Sequence, residues 1–314
     1  MSLSSPCIAI VIPVFNEAEV LEQMHARLRA VIDPLPYRFL IYYVDDGSSD
    51  ETPSILRRLA DQDPRIHLLS LSRNFGHQAA LTAGLDHAEG EIVISLDADG
   101  QHPPELIPEM IQLILQGYDI VQTQRLDEAQ PASFKKWSSA LFYRLLNLLS
   151  GTNILPGAAD FRALSRQAVD ALKSMPEYHR FLRGMVAWIG YRTVILPYHP
   201  QERLAGRSKY SLPKMFKLAL DAIFSFSLIP LYIGLSLGLL LLCLAVLEMA
   251  YVLSFWVTGR TSHLAPGWSS LMFVILIVGG MLMVLLGFIG LYIGYIFQEV
   301  KRRPIYLLRQ DRHE

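Results

Sequence analysis

Apolar residues are distributed in two distinct ways along the 314-residue chain. Up to about residue 125 they gather in short runs: Ile8–Ile12, Phe39–Val44, Ile66–Leu71 and Ile92–Leu96. Between the runs lie stretches such as Glu19–Val31 and Thr52–Ala60, where apolar side chains recur at helical spacing. This alternation predicts parallel strands buried on both faces by crossover helices. Asp119–Gln122 predicts a further strand.

The second pattern begins near residue 221. Ala222 to Leu247 contains no Asp, Glu, Lys or Arg, the apolar run resumes after Glu248 as far as Val257, and Trp268 to Phe297 carries no charge. Each run exceeds the ~20 residues a helix needs to cross a bilayer. The connector Thr258–Gly267 contains the turn residues of a hairpin and only one basic residue, Arg260. Lys209, Lys214 and Lys217 precede the first run and Lys301, Arg302 and Arg303 follow the second, so the positive-inside rule predicts two spans with both flanks in the cytoplasm. Gly234-x-x-x-Gly238 and Gly290-x-x-x-Gly294 have the spacing of close helix–helix contacts and are weak pointers to an oligomer.

Composition agrees with a chain partly in lipid: 52% of residues are hydrophobic and 18% charged. The 28 Lys and Arg against 29 Asp and Glu leave no basic field for a nucleic-acid backbone, which excludes that class of partner. Cys7 and Cys243 fall in different segments and form no disulfide framework. Residues 1–6 lead directly into the first apolar run without the features of a secretory signal, so the N-terminal part is expected in the cytoplasm.

In a parallel sheet of this kind, ligands bind beyond the carboxyl ends of the strands. Those positions hold Pro13-Val-Phe-Asn-Glu17, Asp45-Asp-Gly-Ser-Ser-Asp50, Ser72-Arg-Asn-Phe-Gly-His-Gln78 and Asp97-Ala-Asp-Gly-Gln101. A rim so rich in carboxylates repels a bare polyphosphate unless a divalent cation neutralises it. Asp97, Asp99 and Gln101 present hard oxygen donors on alternate residues, suited to Mg²⁺ or Mn²⁺. Asp45 and Asp46 are placed to accept hydrogen bonds from a ribose or base. The glycine-rich fingerprints of dinucleotide and P-loop sites are absent.

Val11-Ile-Pro-Val-Phe-Asn-Glu17, Asp45–Asp50, Arg73-Asn-Phe-Gly-x-x-Ala-Ala-x-x-Ala-Gly84 and Leu96-Asp-Ala-Asp-Gly-Gln-x-Pro-Pro-Glu105 resemble, in order, the motifs of family 2 inverting glycosyltransferases. The likeness is to the branch that uses polyprenyl phosphates. It extends through Ala159-Asp-Phe-Arg-Ala-Leu-Ser-Arg166, Arg203-x-x-Gly-Arg-Ser-Lys-Tyr-Ser211 and Glu299-Val-x-x-Arg-Pro304, which are similar to bacterial undecaprenyl-phosphate glucosyltransferases. The chain departs from the usual pattern at Gly100, His102 and Gln124-Arg125. His102 reads either as an extra metal or diphosphate contact or as a solvated loop histidine, the second being favoured.

The resemblance implies a Rossmann-like α/β nucleotide-diphospho-sugar transferase (GT-A) domain with a mostly parallel sheet, followed by a transmembrane hairpin. The expected organisation is a nucleotide-sugar and metal half (1–133), an acceptor-side half (134–220), two spans (221–300) and a cytoplasmic tail (301–314). The whole is expected to be a multi-pass protein of the inner membrane. Pro13, Glu17, Asp45, Asp46, Arg73, Asp97 and Arg125 would surround the nucleotide sugar, with the metal on Asp97, Asp99 and Gln101. Asp160 matches the catalytic position, and whether it removes a proton or only orients is open, since a phosphate monoester acceptor is already largely ionised at neutral pH. Arg162 would pair with Asp160 or touch the lipid phosphate, while Arg203, Arg207 and Lys209 would bind that phosphate. Phe134–Leu149 and Leu212–Phe226 read as amphipathic helices at the membrane surface or, for the first, an interdomain core helix. The implied partners are a nucleotide-diphosphate sugar, with UDP-glucose foremost, undecaprenyl phosphate, the bilayer and further copies of the chain, a homotetramer by resemblance.

Overall fold

A computed structural model describes residues 6–126, 155, 157–178, 180–199, 229–258 and 267–309. Two compact units emerge, one of residues 1–148, 152–218 and 303–314 and the other of residues 149–151 and 219–302. Arg203, Arg207, Lys209 and both amphipathic stretches lie outside the described residues.

The first unit is an α/β layer structure whose chain order is β1 (Cys7–Val14), α1 (Leu21–Ile32), β2 (Arg38–Asp45), α2 (Thr52–Gln62), β3 (Ile66–Ser70), α3 (His77–His87), β4 (Ile92–Ser95), α4 (Ile107–Leu115), β5 (Ile120–Arg125), β6 (Ala158–Ser165), α5 (Arg166–Lys173), α6 (Leu182–Trp188) and β7 (Thr193–Tyr198). Among the described residues these strands form one sheet in the order β3-β2-β1-β4-β6-β5-β7. The sheet is mostly parallel, but β6 runs antiparallel to both neighbours, β4 and β5. No isolated apolar run marks β6 in the sequence, because Asp160 and Arg162 interrupt it with charge.

Period-two alternation in β1 sets the layers. Ile8, Ile10 and Ile12 join a fully buried core with Leu21 and Leu28 of α1 and Ile107, Met110 and Ile111 of α4. Each such side chain contributes about 1.5–3 kcal/mol through burial. On the other face Val11 meets α3 at Gly84, where an added Cβ would lie 2.1 Å from Val11 Cγ1 and 3.1 Å from Val44 Cγ2. Only glycine lets α3 lie this close to the sheet. The strand order reverses between β1 and β4, so the crevice beyond their carboxyl ends is the switch point where such sheets bind ligands.

The second unit contains two long helices, α7 (Ile229–Val257, 29 residues) and α8 (Trp268–Lys301, 34 residues). At 1.5 Å per residue they extend about 43 and 51 Å. Within the described residues, Ile277–Lys301 of α8 is long and apolar enough to cross a membrane. Gly234 of α7 faces Leu285 of α8, whose Cδ2 would be 2.0 Å from an added Cβ, whereas Gly238, Gly290 and Gly294 have nothing within 4 Å. The contact at Gly234 is therefore internal to the chain.

Candidate functional site

The loops after β1 and β2 are tied together by short polar side chains. The Asn16 backbone, at φ 52°, donates its N–H to Ser48 Oγ (2.9 Å), while Asn16 Oδ1 accepts from the Ser49 N–H (2.8 Å). The Glu17 N–H reaches Thr52 Oγ1 (3.0 Å), and Asp45 Oδ1 accepts the Ser48 N–H (3.0 Å). Pro13 is the penultimate residue of β1 and pairs with Val44 of β2, one position before the Val14–Asp45 pair. Pro13, Glu17 and Asp45 thus share one rim.

Asp46 is turned toward the third loop. Its carboxylate accepts the N–H groups of Phe75 (2.7 Å) and Gly76 (3.0 Å), and the residue is only 3% exposed. Burial raises its pKa despite these donors. Gly47, at φ +70°, lies against the same loop, where an added Cβ would come 2.5 Å from the Arg73 carbonyl carbon. Arg73 stacks its guanidinium over Phe75 at 4.3 Å and remains exposed. Asp46 therefore shapes the Arg73–Gly76 loop, a role the expected ribose or base contact did not include.

Beyond β4, Asp97 Oδ1 lies 2.8 Å from His77 Nε2 at the start of α3. Burial works against the charge on His77, but Asp97 and then Asp160 outweigh it and raise the imidazole to about 9. Burial likewise opposes ionisation of Asp97, and His102 and His77 reverse that effect and lower its pKa. Asp99 Oδ1 accepts the Gln101 N–H (3.0 Å), and Gln101 Oε1 accepts from Arg125 Nη1 (3.3 Å). Asp97, Asp99, Gln101 and Arg125 therefore form one loop cluster.

His102 is not solvated, contrary to the favoured expectation. It is 7% exposed, stacks on Phe161 with centroids 5.3 Å apart, and meets Tyr198 edge-on at 6.1 Å. Its Nδ1 lies 3.1 Å from the Asp97 backbone N–H. Aromatic packing buries it and makes it a brace for the Asp97 backbone.

Asp160, on β6, is 5% exposed and held by two guanidinium groups. Arg162 Nη2 donates to Oδ1 (2.6 Å), while Arg183 donates through Nε to Oδ1 (3.1 Å) and Nη2 to Oδ2 (2.8 Å). Burial alone would raise this carboxyl, but Arg183 and Arg162 hold it far below the usual carboxylate range. Arg162 is 2% exposed and its Nε and Nη1 have no partner, whereas the Arg183 side chain is 26% exposed. Of the two uses open to Arg162, the structure has the pair with Asp160. A bidentate arginine fork fixes both carboxylate oxygens, a geometry that orients strongly and accepts a proton poorly.

The resulting site is a row of alternating charge: Arg162 and Arg183, Asp160, His77, Asp97. Sequence reading missed Arg183 and gave His77 no role, although each lies in the first turn of a helix. Their importance arises from pairing across elements, which no local spacing records. Among the described residues no three His, Cys, Asp or Glu side chains converge on a metal position. Asp97, Asp99 and Gln101 are hard oxygen donors and fit Mg²⁺ or Mn²⁺ as a partial set, which diphosphate oxygens and water would complete.

Comparison with known proteins gives a consistent result. Residues 9–173 match the model of "Glycosyl transferase family 2". The chain is 40% identical over 303 residues to the uncharacterized glycosyltransferase YkcC of Bacillus subtilis (strain 168), covering 96% of this chain and 93% of that protein. It is 38% identical over 305 residues to the SfII prophage-derived bactoprenol glucosyl transferase of Shigella flexneri, covering 97% and 98%. The prophage bactoprenol glucosyl transferase homolog of Escherichia coli (strain K12) is also 38% identical, with 96% and 98% covered.

Proposed function

The chain belongs to glycosyl transferase family 2, and from that premise we propose that it transfers a single glucose from UDP-glucose to undecaprenyl phosphate, with inversion and release of UDP. The observation that carries this reading is the clamped Asp160 beside the His77–Asp97 pair at the sheet's switch point. Similarity to bactoprenol glucosyl transferases over nearly the full length supports the lipid acceptor, because it includes the α7 and α8 regions as well as the sheet.

An oxygen of the acceptor phosphate attacks C1 of the sugar from the face opposite the diphosphate. The C1–O bond breaks and its electron pair leaves with UDP, giving a β-linked lipid-phosphate sugar. With a second pKa of about 6, the acceptor needs little proton removal at neutral pH. Asp160, held ionised by Arg183 and Arg162, orients the acceptor or the sugar hydroxyls instead of serving as a strong base. His77 pairs with Asp97 at 2.8 Å and sets the direction of that carboxylate. Asp45, Glu17 and Pro13 border the nucleoside, with Arg73 and Arg125 facing the diphosphate. Mg²⁺ or Mn²⁺ on Asp97, Asp99 and Gln101 would supply charge against the departing diphosphate.

Arg203, Arg207 and Lys209 provide the basic side chains that draw in the lipid phosphate. α7 and α8 cross the inner membrane as a hairpin, with the α/β domain on the cytoplasmic side and copies of the chain assembled as an oligomer. The test is transfer by detergent-purified protein given undecaprenyl phosphate, a panel of labelled nucleotide sugars and Mg²⁺, Mn²⁺ or chelator, beside Asp99→Asn. Labelling of lipid from UDP-glucose alone, abolished by chelator and by Asp99→Asn, is expected. Labelling from GDP-mannose, UDP-N-acetylglucosamine or a UDP-aminopentose would replace the donor, and nucleotide-sugar binding without any lipid labelling would overturn the reaction.

A further inference from the structure

The strand β3 lies at one edge of the sheet, so one side of its backbone lacks a strand partner within the sequential order. A segment more than two hundred residues later fills its carboxyl end. Leu308 pairs antiparallel with Leu71, flanked by the Ser72 N–H donating to the Leu307 carbonyl (2.8 Å) and the Arg309 N–H donating to the Ser70 carbonyl (2.7 Å). Tyr306 anchors the segment, with its hydroxyl donating to Asp86 Oδ2 (3.1 Å) and its ring edge-on to His87.

We propose that this tail, residues 304–309, is a positioning element of the donor site that fixes the Arg73–Gly76 loop for the nucleoside diphosphate. The inference rests on the nucleotide-sugar reading above. Ser70–Ser72 is gripped from both sides, since the Leu71 N–H donates to the Asp45 carbonyl (2.8 Å) on the side away from the tail. One residue further on, the Arg73 backbone lies beneath Gly47, and two more bring Phe75 and Gly76 onto the Asp46 carboxylate. The loop is thus held by the acidic turn from one direction and by the tail from the other. Strand addition at a sheet edge satisfies backbone groups and sets the position of the chain that follows. Without the tail, Ser70 and Ser72, which lead into the loop, lose these backbone partners.

The experiment compares full-length protein with Arg309→Pro, which removes the donor to Ser70, and with a variant ending at Arg303. Binding of UDP and UDP-glucose with Mg²⁺ is measured by calorimetry, and amide exchange is followed at Ser72, Phe75 and Gly76. The truncated form, which loses both backbone hydrogen bonds, is expected to bind donor roughly tenfold more weakly with faster exchange at all three amides, and Arg309→Pro, which loses one, to change less in the same direction. The KM for the lipid acceptor should not change, and a peptide of residues 304–314 added in trans should restore donor affinity to the truncated form. Unchanged donor affinity in a variant whose loop exchanges faster would overturn the positioning role, as would unchanged exchange. Absence of nucleotide binding by the unaltered protein would instead overturn the donor reading, while the exchange measurement still reports whether the tail holds the loop.

Discussion

Asp46 and Asp160 are the same residue type, each within 5% of complete burial and each at the rim of the same sheet, yet their ionisation is pushed in opposite directions. Asp46 is met by backbone N–H groups, and desolvation still raises its pKa. Asp160 is met by two full positive charges, which overcome the same penalty. The difference teaches what each carboxylate is for. Amide partners hold Asp46 as a loop-shaping acceptor, whereas arginine partners hold Asp160 in place and favour its ionised form.

The sharpest way to break this comparison is Asp160→Asn. It should lower transfer by at least about 10²-fold, because the acceptor or sugar hydroxyls lose the charged group that orients them. Full activity across pH would remove both the orienting and the proton-accepting role. Arg183→Gln comes next, with transfer down by about tenfold or more and donor affinity retained. The sign follows from the depressed pKa: Asp160 is ionised above its folded value and loses charge as pH falls through it. Removing Arg183 raises that value, so the acidic limb of the pH–rate profile should move toward neutrality, and Arg183→Lys should restore part of it. An unmoved limb would mean that Arg162 alone sets the ionisation.

Asp63 sharpens the comparison from outside the site. Its carboxylate accepts the Arg65 side-chain and backbone N–H groups, and the Arg65 hydrogen bond above all lowers its pKa to about 2. A depressed carboxylate contributes stability that is complete above its unfolded pKa of about 4 and is lost as pH falls toward about 2. Asp63→Asn should therefore destabilise the α/β unit by about 2 kcal/mol at neutral pH, read by denaturant melts, without changing the KM for donor. The smallest effect is expected at Asp46→Asn, which keeps one acceptor oxygen and replaces a charge that burial already disfavours. Donor affinity should change by less than about threefold, within about 1 kcal/mol. A loss tenfold or larger in calorimetry without faster amide exchange at Phe75 and Gly76 would restore the direct ribose or base contact expected from sequence.

Much of this molecule was legible from sequence because its signals are local. Ile8–Ile12, Phe39–Val44, Ile66–Leu71 and Ile92–Leu96 coincide with β1 to β4 to within a few residues, since a buried parallel strand needs an unbroken apolar run. The acidic and amide residues after those strands do meet at one rim. β6 escaped because Asp160 and Arg162 break its apolar run. His102 was misjudged because a loop position says nothing about Phe161 and Tyr198, which arrive from β6 and β7 to bury it.

The sequence by itself determined the strand–helix alternation, the long apolar segments and the positions of Asp45, Asp97, Asp99 and Asp160, because periodicity and motif order reside in neighbouring residues. Only the tertiary structure decided what each charge faces. Arg183 lies 23 residues from Asp160 along the chain, His77 lies 20 from Asp97, and Tyr306 lies 220 from Asp86. Coulomb and hydrogen-bond energies depend on distance through space, so these pairings come into existence only when the sheet brings its strand ends together.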